Sequence, residues 1–275
     1  MGILYLVATP IGNLEDITMR ALRILKEVRL IAAEDTRTSR VLLQHFGITT
    51  PLTSYHEHNK LGKLDTIFDT LKLGDVALIS DAGTPAISDP GYELVREAIQ
   101  QGYSVVPIPG ANAIATALIA SGLPTDGFVY LGFLPKKQNA RRELLETMKA
   151  EKRTLICYES PHRLADTLGL VMSVMGETRP VCVAREMTKL YEEFFRGTAK
   201  EAHTRFGDEN PKGEITLVIS GAPESANWDK VRVLAELDRR LEDGESLSSA
   251  AKAVANASGW KKNAVYELGL DEEEE

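Results

Sequence analysis

From residue 3 onward, short unbroken apolar runs alternate with stretches whose apolar positions recur every three or four residues. The runs are ILYLVA (3–8), VRLIAA (28–33), VALIS (76–80) and SVVPI (104–108). With no polar position to face water, each predicts a strand buried on both faces, as in a parallel sheet. Between the first two, Ile17, Ala21, Ile24, Leu25 and Val28 share one helical face behind a cap at Asn13 or Asp16. Further helices are expected at 38–45, 61–73 and 111–121, and another opens after ISDAGTPAISDPG (79–91). For that last helix, Asp89 reads as the N-cap, Pro90 as the first helical residue and Gly102 as the stop. Strand–helix alternation of this kind predicts an α/β domain with a largely parallel sheet.

The pattern changes after Gly122-Leu123-Pro124-Thr125-Asp126-Gly127. Strands are expected at 128–133, 154–159, 180–186, 192–197 and 214–220, with helices at 138–150 and 161–175, a second α/β unit of mixed strand direction. Strands cease after Ala222-Pro223. A helix at 228–241 precedes two short helices joined at Ser258-Gly259, a spacing that suggests a helix-turn-helix; a plain helical cap accounts for the pattern equally well. The expected organisation is an N-terminal α/β domain (1–122), a second α/β domain (123–223), a helical region (224–270) and an acidic tail (271–275), too charged to fold.

Composition supports this size. At 275 residues, 43% hydrophobic and 26% charged, the chain has material for two cores. Its start lacks the basic segment of a signal peptide, and Leu6 stands where a myristoylation signal needs serine or threonine. No apolar stretch approaches the roughly 18 residues that span a bilayer. Cys157 and Cys182 both sit in strand-like runs and read as reduced core residues. A cytoplasmic protein is expected. Net charge is −8, which argues against nucleic acid, but Asp271–Glu275 carries five of those charges and leaves −3 for the rest. Basic residues cluster at 136–142 and 261–262, so charge alone does not decide for or against RNA.

Candidate chemistry lies in the loops. Thr9-Pro10-Ile11-Gly12-Asn13, Glu34-Asp35-Thr36-Arg37, Asp81–Pro85 and Pro109-Gly110-Ala111-Asn112-Ala113 all follow strands of the first domain, where ligands of open α/β sheets sit. Their small residues let backbone groups approach a ligand. No G-x-G-x-x-G follows a strand and no G-x-x-x-x-G-K-[ST] occurs, which disfavours dinucleotide and P-loop sites. His56 and His58 lack the company that a metal site needs, and no metal is expected; they read as part of a polar loop facing substrate.

These stretches carry a resemblance. VATPIGNLEDIT, AAEDTR, SDAGTPAISDPG, PIPGANAIATALIASGLP, YESPHRL, AREMTKLYEE and KGEITLVI resemble, in order, the motifs of the small-subunit ribosomal RNA methyltransferase I family, within the tetrapyrrole-methylase superfamily. The resemblance runs from residue 3 to about 220. It implies two α/β domains with S-adenosylmethionine in the cleft between them, a homodimer, and methylation of a cytidine ribose 2′-oxygen in the decoding region of 16S ribosomal RNA, free or in the assembled small subunit. By that match Pro10, Ile79, Ser80, Asp81, Thr84, Asn112 and Ala113 line the methionine and ribose side of the cofactor. Glu159 and Met187 close over it, and Glu214 and Ile215 stand at the adenine edge. Asp81 matches the aspartate of the superfamily's G-D-P loop, although this chain reads Ser80-Asp81-Ala82 there.

A ribose hydroxyl is a poor nucleophile until its proton leaves, so a base or an alkoxide-stabilising cation is expected nearby. Glu34, Asp35, Arg37 and Glu186 are the catalytic candidates, with Arg185, His56 and His58 behind them. Glu34 or Asp35 orienting Arg37 as a clamp, and a buried ion pair that merely fixes the loop, are equal readings. Lys136, Lys137, Arg141, Arg142, Arg163, Lys261 and Lys262 are expected on RNA phosphates. Tyr55 is read as a surface residue or a stacking partner for a base. Two rivals stand beside this reading: a methyltransferase of the same superfamily acting on a tetrapyrrole or a protein, and an RNA-binding module without catalysis.

Overall fold

The computed structural model describes residues 2–56, 60–207, 211–223 and 228–271. The first sheet contains β1 (Ile3–Val7), β2 (Leu30–Ala33), β3 (Leu52–Ser54), β4 (Val76–Ile79) and β5 (Ser104–Ile108), in the order β3-β2-β4-β1-β5. All its pairings are parallel. The chain leaves β1 toward one edge and β4 toward the other, so a crevice opens beyond the carboxyl ends of these two neighbours. Its helices are α1 (Met19–Glu27), α2 (Thr36–His45), α3 (Lys60–Leu71), α4 (Tyr92–Gln100) and α5 (Ala113–Ser121). Alternate strand residues feed two cores. Val7, Ile31, Ala77 and Ile79 meet α1 through Ala21, Ile24 and Leu25, whereas Leu4, Val76 and Leu78 meet Ile67, Phe68, Leu71 and Leu94.

The second sheet, β6 (Phe128–Phe133), β7 (Thr154–Glu159), β8 (Pro180–Arg185), β9 (Glu193–Thr198) and β10 (Ile215–Ile219), has the order β6-β7-β10-β8-β9. Only β6–β7 is parallel; the other three pairings are antiparallel. Around it lie α6 (Gln138–Met148), α7 (Leu164–Met175) and α8 (Ala199–Gly207). One face packs on α7 and α8 through Leu164, Leu168, Val171, Ala202 and Phe206. The other face, with Ile156, Cys182, Ala184 and Val218, packs on Ile114, Ala117 and Leu118 of α5. Helix α5 is apolar nearly all round, and Ala115 and Ile119 on the side away from this sheet are exposed. The two thiols flank β10, with Cys157 opposite Leu217 and Cys182 opposite Val218; both are buried and free, and burial raises both.

A separate compact unit contains residues 150–152 and 221 onward. Here α9 (Lys230–Glu242), α10 (Leu247–Ser258) and α11 (Lys262–Asp271) enclose a small core of Val233, Leu237, Ala250, Ala251, Val254 and Val265. Asp229 and Ser246 cap the first two helices, and Gly259, at φ +75°, ends the second in the left-handed conformation. Trp260 Nε1 donates to the Trp228 carbonyl at 2.7 Å. Of the expected acidic tail, residues 272–275 lie outside the described residues. Among the described residues no helix is long and apolar enough to cross a membrane.

Two local expectations need correction, and two elements are not expected from the sequence. Gly91, not Asp89, is the N-cap residue of α4, and the helix begins at Tyr92 beyond Pro90. The short strand β3 and the helix α8 carry too little apolar pattern to be foreseen; α8 buries only Ala199, Ala202 and Phe206. Tyr55 is neither a surface residue nor a stacking platform, since its ring is fully buried beside Ile67, Leu71 and Leu78.

Candidate active site

Four loops of the first sheet are bound into one wall. Thr9 and Gly83 exchange backbone hydrogen bonds of 2.9 Å in each direction, which joins the loops after β1 and β4. Gly83 has φ +81°, and a Cβ there would stand 3.3 Å from Ile11 Cγ2, so the turn suits glycine. Asn112 caps α5 by accepting from the Ile114 and Ala115 amides, and its Nδ2 donates to Thr84 Oγ1. Thr84 Oγ1 in turn donates to the Ala111 carbonyl. The loop after β2 is tied in by Asp81 Oδ1, which accepts the Asp35 amide at 3.0 Å, and by a long contact from the Asp81 amide to Glu34 Oε2.

Between this wall and the second sheet lies a cavity of about 440 Å³, within the usual range for small-molecule sites. Ile11, Ile87, Phe133, Met187 and Ile215 give it apolar walls; Glu34, Asp81, Asp89 and Glu214 give it carboxylates. A shallower groove continues past Pro10, Gly12, Thr38 and Lys189, sharing Ile11, Asp81, Ala82 and Glu214 with the cavity. Glu214 is paired with Lys189, but among the described residues no lysine or arginine lines the cavity beside Glu34, Asp81 and Asp89. Burial is the leading cause that raises Glu34, helped by the charge of Asp89; burial likewise raises Asp81 and Asp89. Asp89 is held by a side-chain hydrogen bond with Ser80.

The rim is strained. Among the described residues, the non-glycine residues at positive φ are Ala86 (+68°), Ser88 (+64°), Glu186 (+50°) and Thr188 (+68°), all in the two loops that border the cavity. Ser88 Oγ shares a 2.7 Å hydrogen bond with Tyr130 Oη, linking the first sheet's loop to β6. Tyr130 also bonds Tyr158, whose hydroxyl burial pushes well upward. On the second sheet, Lys189 Nζ bridges Glu186 Oε1 (2.8 Å) and Glu214 Oε2 (2.9 Å). Gly213, at φ +94°, packs so tightly on the Glu186 side chain that a Cβ would overlap it.

The expected site residues separate into groups. Asp81, Thr84, Asn112, Ala113, Glu159, Met187 and Ile215 line the cavity. Pro10 lines the groove. Ile79 and Ser80 stand behind the wall, 1% and 2% exposed. The Glu159 carboxylate is engaged internally: it accepts Ser160 N, Arg163 Nη2 (2.6 Å) and Thr167 Oγ1 (2.7 Å). Of the four catalytic candidates only Glu34 lines the cavity. Asp35 caps α2 and clasps Arg37, which holds the Asp35 carboxyl down to about 2, while the Arg37 side chain points outward, 88% exposed. That arrangement is a loop fastening at the surface rather than the buried ion pair considered from sequence. Lys189 and the Glu214 amide hold Glu186 below the usual carboxylate range, which makes it a weak base.

The basic set also divides. Lys136, Lys137, Arg142, Lys261 and Lys262 are exposed. Arg163 is not a free phosphate contact, because it pairs with Glu159 and donates to the Leu134 and Pro135 carbonyls. Arg141 is buried rather than part of an exposed stripe. His56 is half-buried, and His58 lies outside the described residues. Sequence reasoning missed Ile87, Asp89, Phe133, Tyr158, Gly213 and Thr216 as cavity residues; Phe133 and Tyr158 sit in strand runs that read as core, and Asp89 reads as a cap. Among the described residues no three metal-capable side chains converge.

Two parallel-rich and mixed sheets with a carboxylate-lined cleft at the crevice of the first match known architecture. The signature of the Tetrapyrrole (Corrin/Porphyrin) Methylases covers residues 3–203. The fold is shared with uroporphyrin-III-C-methyltransferase of Thermus thermophilus, at a TM-score of 0.55 and 19% identity over 80% of this chain and 94% of that one. Cobalt precorrin-4 methyltransferase gives a TM-score of 0.59 at 16% identity, over 79% and 94%. This is the tetrapyrrole-methylase class of fold. At closer range, the ribosomal RNA small subunit methyltransferase I of Halalkalibacterium halodurans is 51% identical over 97% of this chain and 94% of its own. The proteins of that name from Synechocystis and Haemophilus influenzae are 48% and 49% identical, over 98% of this chain and 98% and 96% of theirs. The chain belongs to the ribosomal RNA small subunit methyltransferase I branch of the tetrapyrrole methylases.

Proposed function

We propose that the chain is an S-adenosylmethionine-dependent methyltransferase acting on small-subunit ribosomal RNA, at the ribose 2′-hydroxyl of a cytidine in the decoding region. The observation that carries the reading is the cleft itself: three carboxyl groups, Glu34, Asp81 and Asp89, share a partly apolar cavity without a cation, and burial raises all three. A ligand bearing fixed positive charge relieves that arrangement. S-adenosylmethionine does so with a sulfonium and an ammonium, and when bound it supplies an electrophilic methyl group. Asp81 and Asp89 would hold its cationic part; Ile11, Met187 and Ile215 supply apolar wall for its flat and aliphatic parts.

The chain's own contribution is placement and proton handling. Two walls braced by the Thr9–Gly83 bridge and the Ser88–Tyr130 bond hold reactants in line, and alignment alone can supply roughly 7–11 kcal/mol of a barrier. Glu34 is the catalytic candidate that faces the cavity, and its raised pKa brings it closer to neutral pH, as suits a general base for a hydroxyl. Support for a homodimer comes from apolar side chains left exposed near the groove: Leu14 and Val41, which line it, and Leu190 beside Lys189.

Transfer of labelled methyl from S-adenosylmethionine to undermethylated small subunits, followed by nuclease mapping of the product, tests the reading. Label at a cytidine 2′-oxygen is expected. Label on a base, on protein or on a tetrapyrrole would overturn the substrate assignment; absence of S-adenosylmethionine binding by calorimetry would favour a non-catalytic RNA-binding module.

A further inference from the structure

The start of α6 has no acid in its first turn, and Lys137 at its cap makes no side-chain cap bond. Its first N–H groups therefore lack a negative partner from the protein. One turn in, Arg141 is 2% exposed, and its Nε and Nη1 are buried with no acceptor. A guanidinium keeps its charge at any working pH, and burying it unpaired is costly. Side chains on an α-helix lean toward its N-terminus, the end at which these amides are free. Lys136 and Lys137 are exposed beside it.

The segment also adjoins the cleft. Phe133, 63% exposed, is part of the cavity wall five residues before the helix, and Arg163 fastens the intervening Leu134 and Pro135 carbonyls. A phosphate would satisfy the amides and Arg141. The exposed Phe133 ring, five residues earlier in the chain, suits a nucleotide, which offers a base to stack as well as a phosphate to hold.

We propose that the N-terminus of α6, with Arg141, Lys136 and Lys137, binds a phosphodiester of the RNA strand whose ribose enters the cleft. This rests on the function proposed above and assigns part of the RNA path. Binding of undermethylated small subunits would be measured from 50 to 200 mM salt for the wild type, Arg141→Met and Arg141→Lys, with S-adenosylmethionine titrated in parallel. Arg141→Met is expected to weaken RNA binding roughly tenfold or more and to lower the salt slope by about one, with S-adenosylmethionine affinity kept. Arg141→Lys, with charge but no planar fork, is expected to fall between. In the wild type, the amide signals of Gln138, Asn139 and Ala140 are expected to shift on adding a single-stranded RNA oligonucleotide and, less, inorganic phosphate. This arm decides if Arg141→Met does not fold. Wild-type affinity and slope in a folded Arg141→Met, or unmoved amides while RNA binds, would overturn the site and leave the function standing. A wild type that neither binds S-adenosylmethionine nor methylates RNA would overturn both.

Discussion

Replacing Arg163 by methionine isolates what fastens the second wall of the cleft. Arg163 Nη2 lies 2.6 Å from Glu159 Oε1, with the Glu159 side chain wholly buried and that of Arg163 22% exposed. Arg163 Nη1 also donates to the Leu134 and Pro135 carbonyls, at 3.2 Å each. Methionine fills most of the volume but strands the buried carboxylate with only Ser160 N and Thr167 Oγ1. Breaking such a pair from one side costs about 3–5 kcal/mol. For a folding unit of this size each kcal/mol moves the midpoint by roughly 2–4 °C, so a fall of about 6–20 °C is expected. Calorimetry of the wild type, Arg163→Met, Glu159→Gln and the double variant completes a cycle. Because the double variant leaves no charge stranded, its loss should be well below the sum of the single losses. A loss under about 1 kcal/mol in Arg163→Met, or strict additivity, would refute the claim that this pair bears on stability through an uncompensated carboxylate.

Asp81→Asn should weaken S-adenosylmethionine binding by about tenfold to a hundredfold, the worth of a hydrogen bond to a charged group, while the melting profile stays near wild type because the asparagine Oδ1 can still accept the Asp35 amide; calorimetric titration reads the first and scanning calorimetry the second. Glu34, Asp81 and Asp89 have folded pKa values above their ordinary ones, so the ligand-free fold holds their protons longer than the unfolded chain does. Their contribution to stability is therefore full at acid pH and declines as pH rises from about 4 through the raised values. A cationic ligand favours the ionised forms. S-adenosylmethionine should thus bind more tightly as pH rises over this range and release protons, seen as a dependence of binding heat on the buffer; proton uptake or flat affinity would contradict it. Gly83→Ala should cost about 1–2 kcal/mol for the left-handed backbone and more for the contact with Ile11. Gly47→Ala, at φ +62° with open space around it, is the matched control in denaturant titrations.

Much of this architecture is legible because buried strands cannot hide. TLICYE and FVYLGF match β7 and β6 at both ends, since each is a short apolar run set off by turn and charged residues. What escapes is what depends on distant partners. LTS in β3 is only three residues long, and it becomes a strand because β2 offers an edge to it. Asp-Pro looks like a helix start, but Ser80 engages the Asp89 side chain and the chain passes through left-handed Ser88 before Gly91 takes the cap. The small-residue loops and the order of motifs point to Asp81, Thr84 and Asn112. They cannot show that Arg163 and Glu159 engage one another, because a long basic side chain reads as solvated until its neighbours are known. In the same way Phe133 and Tyr158 read as core until a cavity is seen beside them.

Both native thiols are shielded within the second sheet on either side of its central strand, and burial keeps them protonated. They are accordingly silent toward maleimides and spin labels under native conditions. One cysteine placed on each bank of the cleft would then label selectively without removing Cys157 or Cys182, so the distance between the banks, with and without ligand, can be read by paired probes in an otherwise unaltered chain.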